Sequence, residues 1–153
     1  MLRRLELADM NQAAQVHRTA YDSALPWLAG LHTPGQDRWF FRERVFGTGE
    51  VWGAFDHAAM IGIIAFRAHW IDQLYVLPAA QGRGVGTGLL RVAQTAFDRL
   101  QLWTFQRNGP ARRFYEARGF ALVRQTDGAG NEEKEPDALY LWTRPEARNG
   151  SAC

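Results

Sequence analysis

Residues 81 to 88 read Gln-Gly-Arg-Gly-Val-Gly-Thr-Gly, and the stretch after them carries its apolar residues on one helical face. Such a run is suited to one kind of chemistry. Glycines let the backbone adopt positive φ and approach a ligand closely. A helix opening there offers unpaired N–H groups and the positive end of its dipole, which together bind an anion, usually a phosphate. Arg83 adds a full positive charge. The P-loop pattern GxxxxGK[ST] does not apply, because no lysine follows these glycines. The dinucleotide pattern GxGxxG fails too: read from Gly82, its third glycine falls on Thr87, and read from Gly84, on Leu89. A tight strand-to-helix turn without a ligand is the alternative.

The elements that must position this loop can be read from periodicity and punctuation. Residues 2–7 alternate as a half-buried strand does, and Asp9 is placed to cap a helix over about 10–24, broken at Pro26. Thr33-Pro34 reads as a second helix start, with Thr as cap and Pro in first position; that helix carries Phe40, Phe41 and Val45 and stops at Gly47. Three strands follow at 50–55, 60–67 and 69–77, the first two joined by a short Asp56–Ala59 turn. After the glycine run comes a helix to about 99 with Val85, Leu89, Val92, Ala93, Ala96, Phe97 and Leu100 on one face. A strand at 100–105, a helix at 109–118 and strands near 120–125 and 138–144 complete an α/β domain with a mixed sheet. Asn108 before Gly109-Pro110 is a helix cap, and Gly119 closes that helix.

Gln81-Gly-Arg-Gly84-Val-Gly86 resembles the Q/RxxGxG/A signature of the GNAT superfamily of N-acetyltransferases. The resemblance extends back through Leu74-Tyr75-Val76-Leu-Pro78. It extends forward through Asn108 and the segment Ala111-Arg-Arg-Phe114-Tyr115-Glu116-Ala-Arg-Gly119-Phe120. It implies a mostly antiparallel sheet of about seven strands with helices on both faces, and a bulge that splays a central strand pair. It implies acetyl-CoA as cosubstrate and an amine as acceptor, with no metal. Gln81, Gly82, Arg83, Gly84, Val85, Gly86 and Thr87 then surround the CoA pyrophosphate, which the backbone amides of Gly82 through Thr87 grip. The backbone of Leu74, Tyr75 and Val76 pairs with the pantetheine arm by strand addition. The amide near Val76 faces the thioester oxygen. Asn108 touches the same arm.

By the same resemblance Tyr115 stands near the CoA sulfur as general acid. Free tyrosine titrates near 10 and a thiol near 8.5, so a hydrogen bond to the departing thiolate describes its part better than full proton transfer. Family members often place a carboxylate or histidine four or six positions before the residue matching Val76; here those positions hold Asp72 and Trp70. Others use the following strand, where Trp103 stands. Asp72 is the ionisable candidate for the base, and a strand-edge pairing with Arg67 is the competing reading. The acidic loop Asn131–Asp137 is either a solvated loop or a charge that draws a cationic amine towards the site; His32, with Trp27 and Trp39, lies where the family builds its acceptor wall, and helix packing is the competing reading of these aromatics.

Composition narrows the rest. The chain has 153 residues, 46% hydrophobic and 22% charged, with net charge +2; this describes one globular domain, taken as 1–146 with a tail at 147–153. Lys134 is the only lysine, and no basic stretch alternates with aromatics, which argues against nucleic acid. No apolar run has membrane length and no signal peptide opens the chain, so the expected setting is cytoplasmic. The one cysteine, Cys153, is last in the chain and no nucleophile, which favours direct attack by the amine over an acetyl-enzyme. Another acyl-CoA donor, a non-catalytic CoA sensor and a homodimer stay open.

Overall fold

The computed structural model describes residues 1–146; the proposed tail and Cys153 lie outside them. Seven strands form one sheet in the order β1-β2-β3-β4-β5-β7-β6, with β1 Leu2–Arg4, β2 Glu50–Asp56, β3 Ala59–Arg67, β4 Trp70–Val76, β5 Arg99–Phe105, β6 Ala121–Thr126 and β7 Asp137–Thr143. The helices are α1 Met10–Ala24, α2 Pro34–Phe40, α3 Phe46–Thr48, α4 Val85–Ala96 and α5 Gly109–Glu116. All pairings are antiparallel except β4 with β5. This is the mixed, mostly antiparallel sheet the sequence predicts.

Strand β3 shows why the sheet is covered on both sides. Its Ile63 and Ala65 pack with Met10, Ala13 and Phe41 of the α1 side. Its Ile64 and Phe66 pack with Leu89, Leu90 and Ala93 of α4 and with Tyr115 of α5. Alternation with both faces apolar is the mark of a strand buried from both sides.

Two irregularities in β4 shape the centre. Opposite β3, Ala65 pairs with Gln73 but Phe66 pairs with Ile71, so Asp72 is the extra, unpaired residue of a β-bulge. On its other side, β4 meets β5 only where Trp70 faces Gln101, supported by the Gln101 N–H donating to the His69 carbonyl at 2.8 Å. Beyond that bridge the parallel strands part, leaving the β4 edge from Ile71 to Val76 without a ladder partner on the β5 side.

Several sequence-based boundaries shift. The first strand ends at Arg4, and Leu7–Asp9 is a 3-10 turn leading into α1. Asp9 does not cap α1 with its side chain; it accepts from the Glu6 N–H at 2.8 Å and binds Arg3 through both oxygens. Thr33 does cap α2, accepting from the Gln36 N–H while the Gln36 side chain accepts from the Thr33 N–H. That helix passes through a π turn over Phe41–Val45 before α3. The glycine-loop helix ends at Ala96 rather than 99, and α5 ends at Glu116. Gly119 closes α5 at φ +89, with the Phe120 N–H donating back to the Tyr115 carbonyl.

Candidate active site

The glycine loop crosses from β4 to α4 with Gly82 at φ +79 and Gly84 at φ +80. A Cβ at either would meet nothing within 4 Å. Conformation rather than crowding therefore requires glycine there, since other residues resist positive φ. Gly84 is the N-cap of α4, and no side chain caps the helix. The first bond within the helix is donated by the Gly88 N–H to the Gly84 carbonyl at 3.0 Å, so the N–H groups of Val85, Gly86 and Thr87 precede the ladder. This is an anion cradle made of backbone. Gly86 serves another end: a Cβ there would stand 3.2 Å from the Phe114 ring. It lets α4 and α5 pack closely.

Side chains brace the loop. Gln81 Nε2 donates to the Val76 carbonyl at 3.1 Å, tying the loop to the end of β4. Arg83 lies at the rim, 3.9 Å from Asp56 and half exposed. The Thr87 hydroxyl accepts from Arg118 Nε and Nη2 at 3.0 and 2.8 Å, and Arg118 lies over the Phe114 ring at 3.8 Å. Sequence reasoning missed Arg118. Its position inside the Tyr115–Phe120 segment was visible, but its partner lies 31 residues away.

Across the parted strands from α4 stands α5. Asn108 caps it, accepting from the Ala111 N–H at 3.2 Å. Tyr115 is buried against Phe114 and Phe120, and its hydroxyl has no hydrogen-bond partner among the described residues. Burial pushes its phenol above the ordinary tyrosine range, so it keeps its proton at neutral pH and has an O–H to donate.

On the other face lies a cavity of about 560 Å³. Its floor is Tyr75 from β4 with His17 and Tyr21 from α1; Trp103 and Phe105 of β5 form one wall and Trp39 and Phe40 another. Burial first, then Tyr115, Tyr21 and Glu133, raise the Tyr75 phenol. Burial and then Glu133 push Tyr21 up to about 12. Carboxylates ring the opening: Asp37, Asp72, Glu132 and Glu133. Asp37 is held by Arg18 through two 2.8 Å bonds, and His32 Nε2 lies 2.8 Å from Glu132.

Asp72 reaches this cavity from the bulge, but both of its oxygens accept from Arg67, at 2.9 and 3.1 Å. The ionisable residue read as the base is already engaged. The structure thus brings Leu74, Tyr75, Val76, the loop 81–87, Asn108 and Tyr115 around the parted strands, and sets Asp72 at the cavity mouth. His17 was not singled out in the sequence, because a histidine on the inner face of a helix reads as ordinary core.

The acidic loop forms the roof. Glu132 and Glu133 line the cavity while Glu135 turns inward, bound by Arg107 at 2.8 and 2.9 Å and by Trp27 Nε1 at 3.1 Å. The Arg107 bonds hold its carboxyl below the usual carboxylate range against the opposing effect of burial.

The family model for the acetyltransferase (GNAT) family matches residues 5–120. The chain belongs to this family. It is therefore an acyl-CoA-dependent N-acyltransferase by descent, as the loop and the parted strands indicate. The peptidyl-lysine N-acetyltransferase YiaC of Escherichia coli (strain K12) is 28% identical over 103 residues, 66% of this chain and 68% of that protein. Among solved structures, apo YjaB of Escherichia coli superposes with TM-score 0.79 at 17% identity, covering 95% of this chain and 98% of that one. The PaiA N-acetyltransferase of Thermoplasma acidophilum in complex with coenzyme A gives 0.68 at 20% identity, covering 94% and 98%. YncA of Salmonella typhimurium, solved with its cofactor acetyl-CoA, gives 0.70 at 16% identity, covering 100% and 98%. These likenesses establish the fold.

Two expectations follow. Gly84→Val forces a β-branched residue to φ +80 at the anion cradle. It should abolish the rise in melting temperature that acetyl-CoA produces in the unaltered protein, as read by thermal denaturation with and without ligand; a normal rise would mean that the loop holds no ligand. The second concerns His17, which burial, with a smaller push from Arg18, lowers to about 4 against the opposing pull of Asp37 and Asp22. Between about pH 6.5 and 4 the unfolded chain then holds a proton there that the folded chain does not, so acidification favours unfolding. The melting-temperature gap between His17→Phe and the unaltered protein should widen as pH falls through that window. Parallel curves would mean that His17 titrates normally.

Proposed function

We propose that this protein transfers an acetyl group from acetyl-CoA to the side-chain amine of a lysine, by direct attack within a ternary complex on a single domain spanning 1–146. One observation carries the reading. The parted β4–β5 edge joins an anion cradle on one side to an acidic, aromatic cavity on the other, and the two meet at Tyr75 and Val76. A thioester at that junction faces both halves. The acidic rim favours a cationic acceptor, and the aromatic walls suit the apolar stem of an alkylammonium. The peptidyl-lysine activity of the Escherichia coli relative supports the choice of amine. Among the described residues no helix is long and apolar enough to cross a membrane and no acidic, histidine and cysteine group could hold a metal; a cytoplasmic enzyme without a metal is part of the proposal.

The geometry supports the following division of labour. The amides of Gly82 to Thr87 bind the pyrophosphate, with Arg83 adding charge at the rim. The free edge at Leu74, Tyr75 and Val76 pairs with the pantetheine arm, and an amide near Val76 stabilises the oxyanion. As the amine nitrogen bonds to the acetyl carbon, the C–S bond breaks, the sulfur leaves as thiolate, and the proton shed by the nitrogen passes to solvent at the cavity mouth. Tyr115, protonated and unpartnered, donates a hydrogen bond to that sulfur. A lysine amine near pKa 10.4 requires roughly 4 to 5 kcal/mol to present its lone pair at neutral pH. Asp72, engaged by Arg67, acts in this reading as the clamp of the bulge and adds negative charge at the mouth.

Tyr115→Phe should lower kcat by about ten- to a hundredfold while leaving acetyl-CoA affinity and melting temperature nearly unchanged, because the hydroxyl holds no partner among the described residues. Unchanged turnover would remove it from the mechanism. Asp72→Asn should reduce stability by about 1 kcal/mol or less, as for an exposed pair, and leave the shape of the pH–rate profile intact. Loss of the rising limb of that profile at normal stability would instead identify Asp72 as the base.

A further inference from the structure

Each polar group in a folded interior needs a partner, and one beneath the acceptor cavity has none. His17 is 9% exposed, and its Nδ1 is buried without a hydrogen bond among the described residues. Its ring lies among aromatic rings: edge-on to Tyr75 at 4.6 Å, and tilted against Phe41 at 5.3 Å and Tyr21 at 5.5 Å. A phenylalanine would fill this box without desolvating any nitrogen. Leaving a buried donor or acceptor unsatisfied carries its full desolvation cost, so an imidazole here weakens the fold for no gain in packing. A group kept at such a cost calls for an explanation outside the resting structure.

The cavity supplies one. His17 lines its floor together with Tyr75, the residue before Val76. Nδ1 is shut off and unpartnered among the described residues, and the ring lines the cavity floor. The surroundings are dry and aromatic, and the ring stays neutral at physiological pH. A neutral imidazole offers a lone pair. An amine attacking a thioester must point its own lone pair at the carbonyl carbon, which turns its N–H groups away from the reacting bond. In an apolar box those N–H groups need an acceptor. Of the rim carboxylates, Asp37, Asp72 and Glu132 are taken up by Arg18, Arg67 and His32, and among the described residues Glu133 is the one left to draw the cation in.

We propose that His17 is the acceptor-orienting residue of this enzyme: its Nε2 accepts a hydrogen bond from the incoming lysine amine and aims the nitrogen lone pair at the thioester. The inference rests on the lysine-acetyltransferase reading above. It assigns to α1, an element outside the CoA-binding signature, a residue that touches the acceptor.

The test uses the full chain with Nα-acetyl-lysine methylamide as the amine probe and thiol release as the assay. His17→Phe should match or exceed the melting temperature of the unaltered protein and keep its acetyl-CoA affinity, while its KM for the probe rises tenfold or more. Glutamine, whose amide oxygen reaches about as far as Nε2, should restore part of the loss. Wild-type kcat/KM in His17→Phe overturns the proposal. So does a loss of activity matched by a loss of stability, which would make His17 structural. Should the phenylalanine variant fail to fold, the ring-nitrogen resonances of His17 in CoA-bound wild-type protein decide: they shift on addition of the probe if the proposal holds, and stay fixed if it does not. Absence of thiol release by the wild-type protein with this probe overturns the lysine reading itself, and His17's part with it. That outcome is distinct from an active wild type with an equally active variant.

Discussion

Everything at the centre of this molecule depends on two adjacent strands that fail to pair. Strands β4 and β5 run parallel and touch at one residue pair, Trp70 with Gln101, before diverging. An unpaired edge inside a sheet exposes backbone N–H and C=O groups that the fold must satisfy elsewhere. Here that unmet demand is the binding capacity, because a ligand with amide groups can complete the ladder. The bulge at Asp72 starts the divergence by adding a residue to β4, and Arg67 holds that residue from the neighbouring strand.

The two sides of the cleft are built on opposite physical terms. The side toward α4 is polar through its backbone: positive-φ glycines, free amides and a helix dipole, with Gln81 and Arg118 fixing the loop from its two ends. The side toward α1 is apolar through its rings and polar through its rim, with aromatic side chains below and carboxylates above. Alternation along β4 makes this possible. Leu74 and Val76 pack into the core beneath α4 and α5, while Tyr75 between them packs on the α1 side. One strand serves both compartments.

What could be read from the sequence follows the range of each interaction. The glycine run, the Thr33 cap, the Asn108 cap and the Gly119 stop were legible, because each is satisfied within a few residues of itself. The Asp72–Arg67 pair, five residues apart across a tight turn, was legible as one of two alternatives. Asp9 was misread because its side chain turned back to Arg3 and the Glu6 N–H rather than forward to α1. The partners of Thr87, Glu135 and His17 were not legible at all. Each is defined by groups that only tertiary packing brings near, and neither helical periodicity nor composition distinguishes a histidine that lines a cavity from one that fills a core.

The roof of the cavity has a consequence for how such a site can be altered. Trp27, Arg107 and Glu135 come from three separate stretches of chain, and each needs the other two: the indole lies over the guanidinium at 4.0 Å, and both donate to the one enclosed carboxylate. The stretch carrying His32 and the stretch carrying Glu132 are joined in the same way. A loop transplanted alone from a relative, to change which amine is admitted, would arrive without its counterparts and strand a carboxylate in the interior. The segments around 25–33, 107 and 127–136 therefore have to be exchanged as a single cassette, although more than a hundred residues separate its ends.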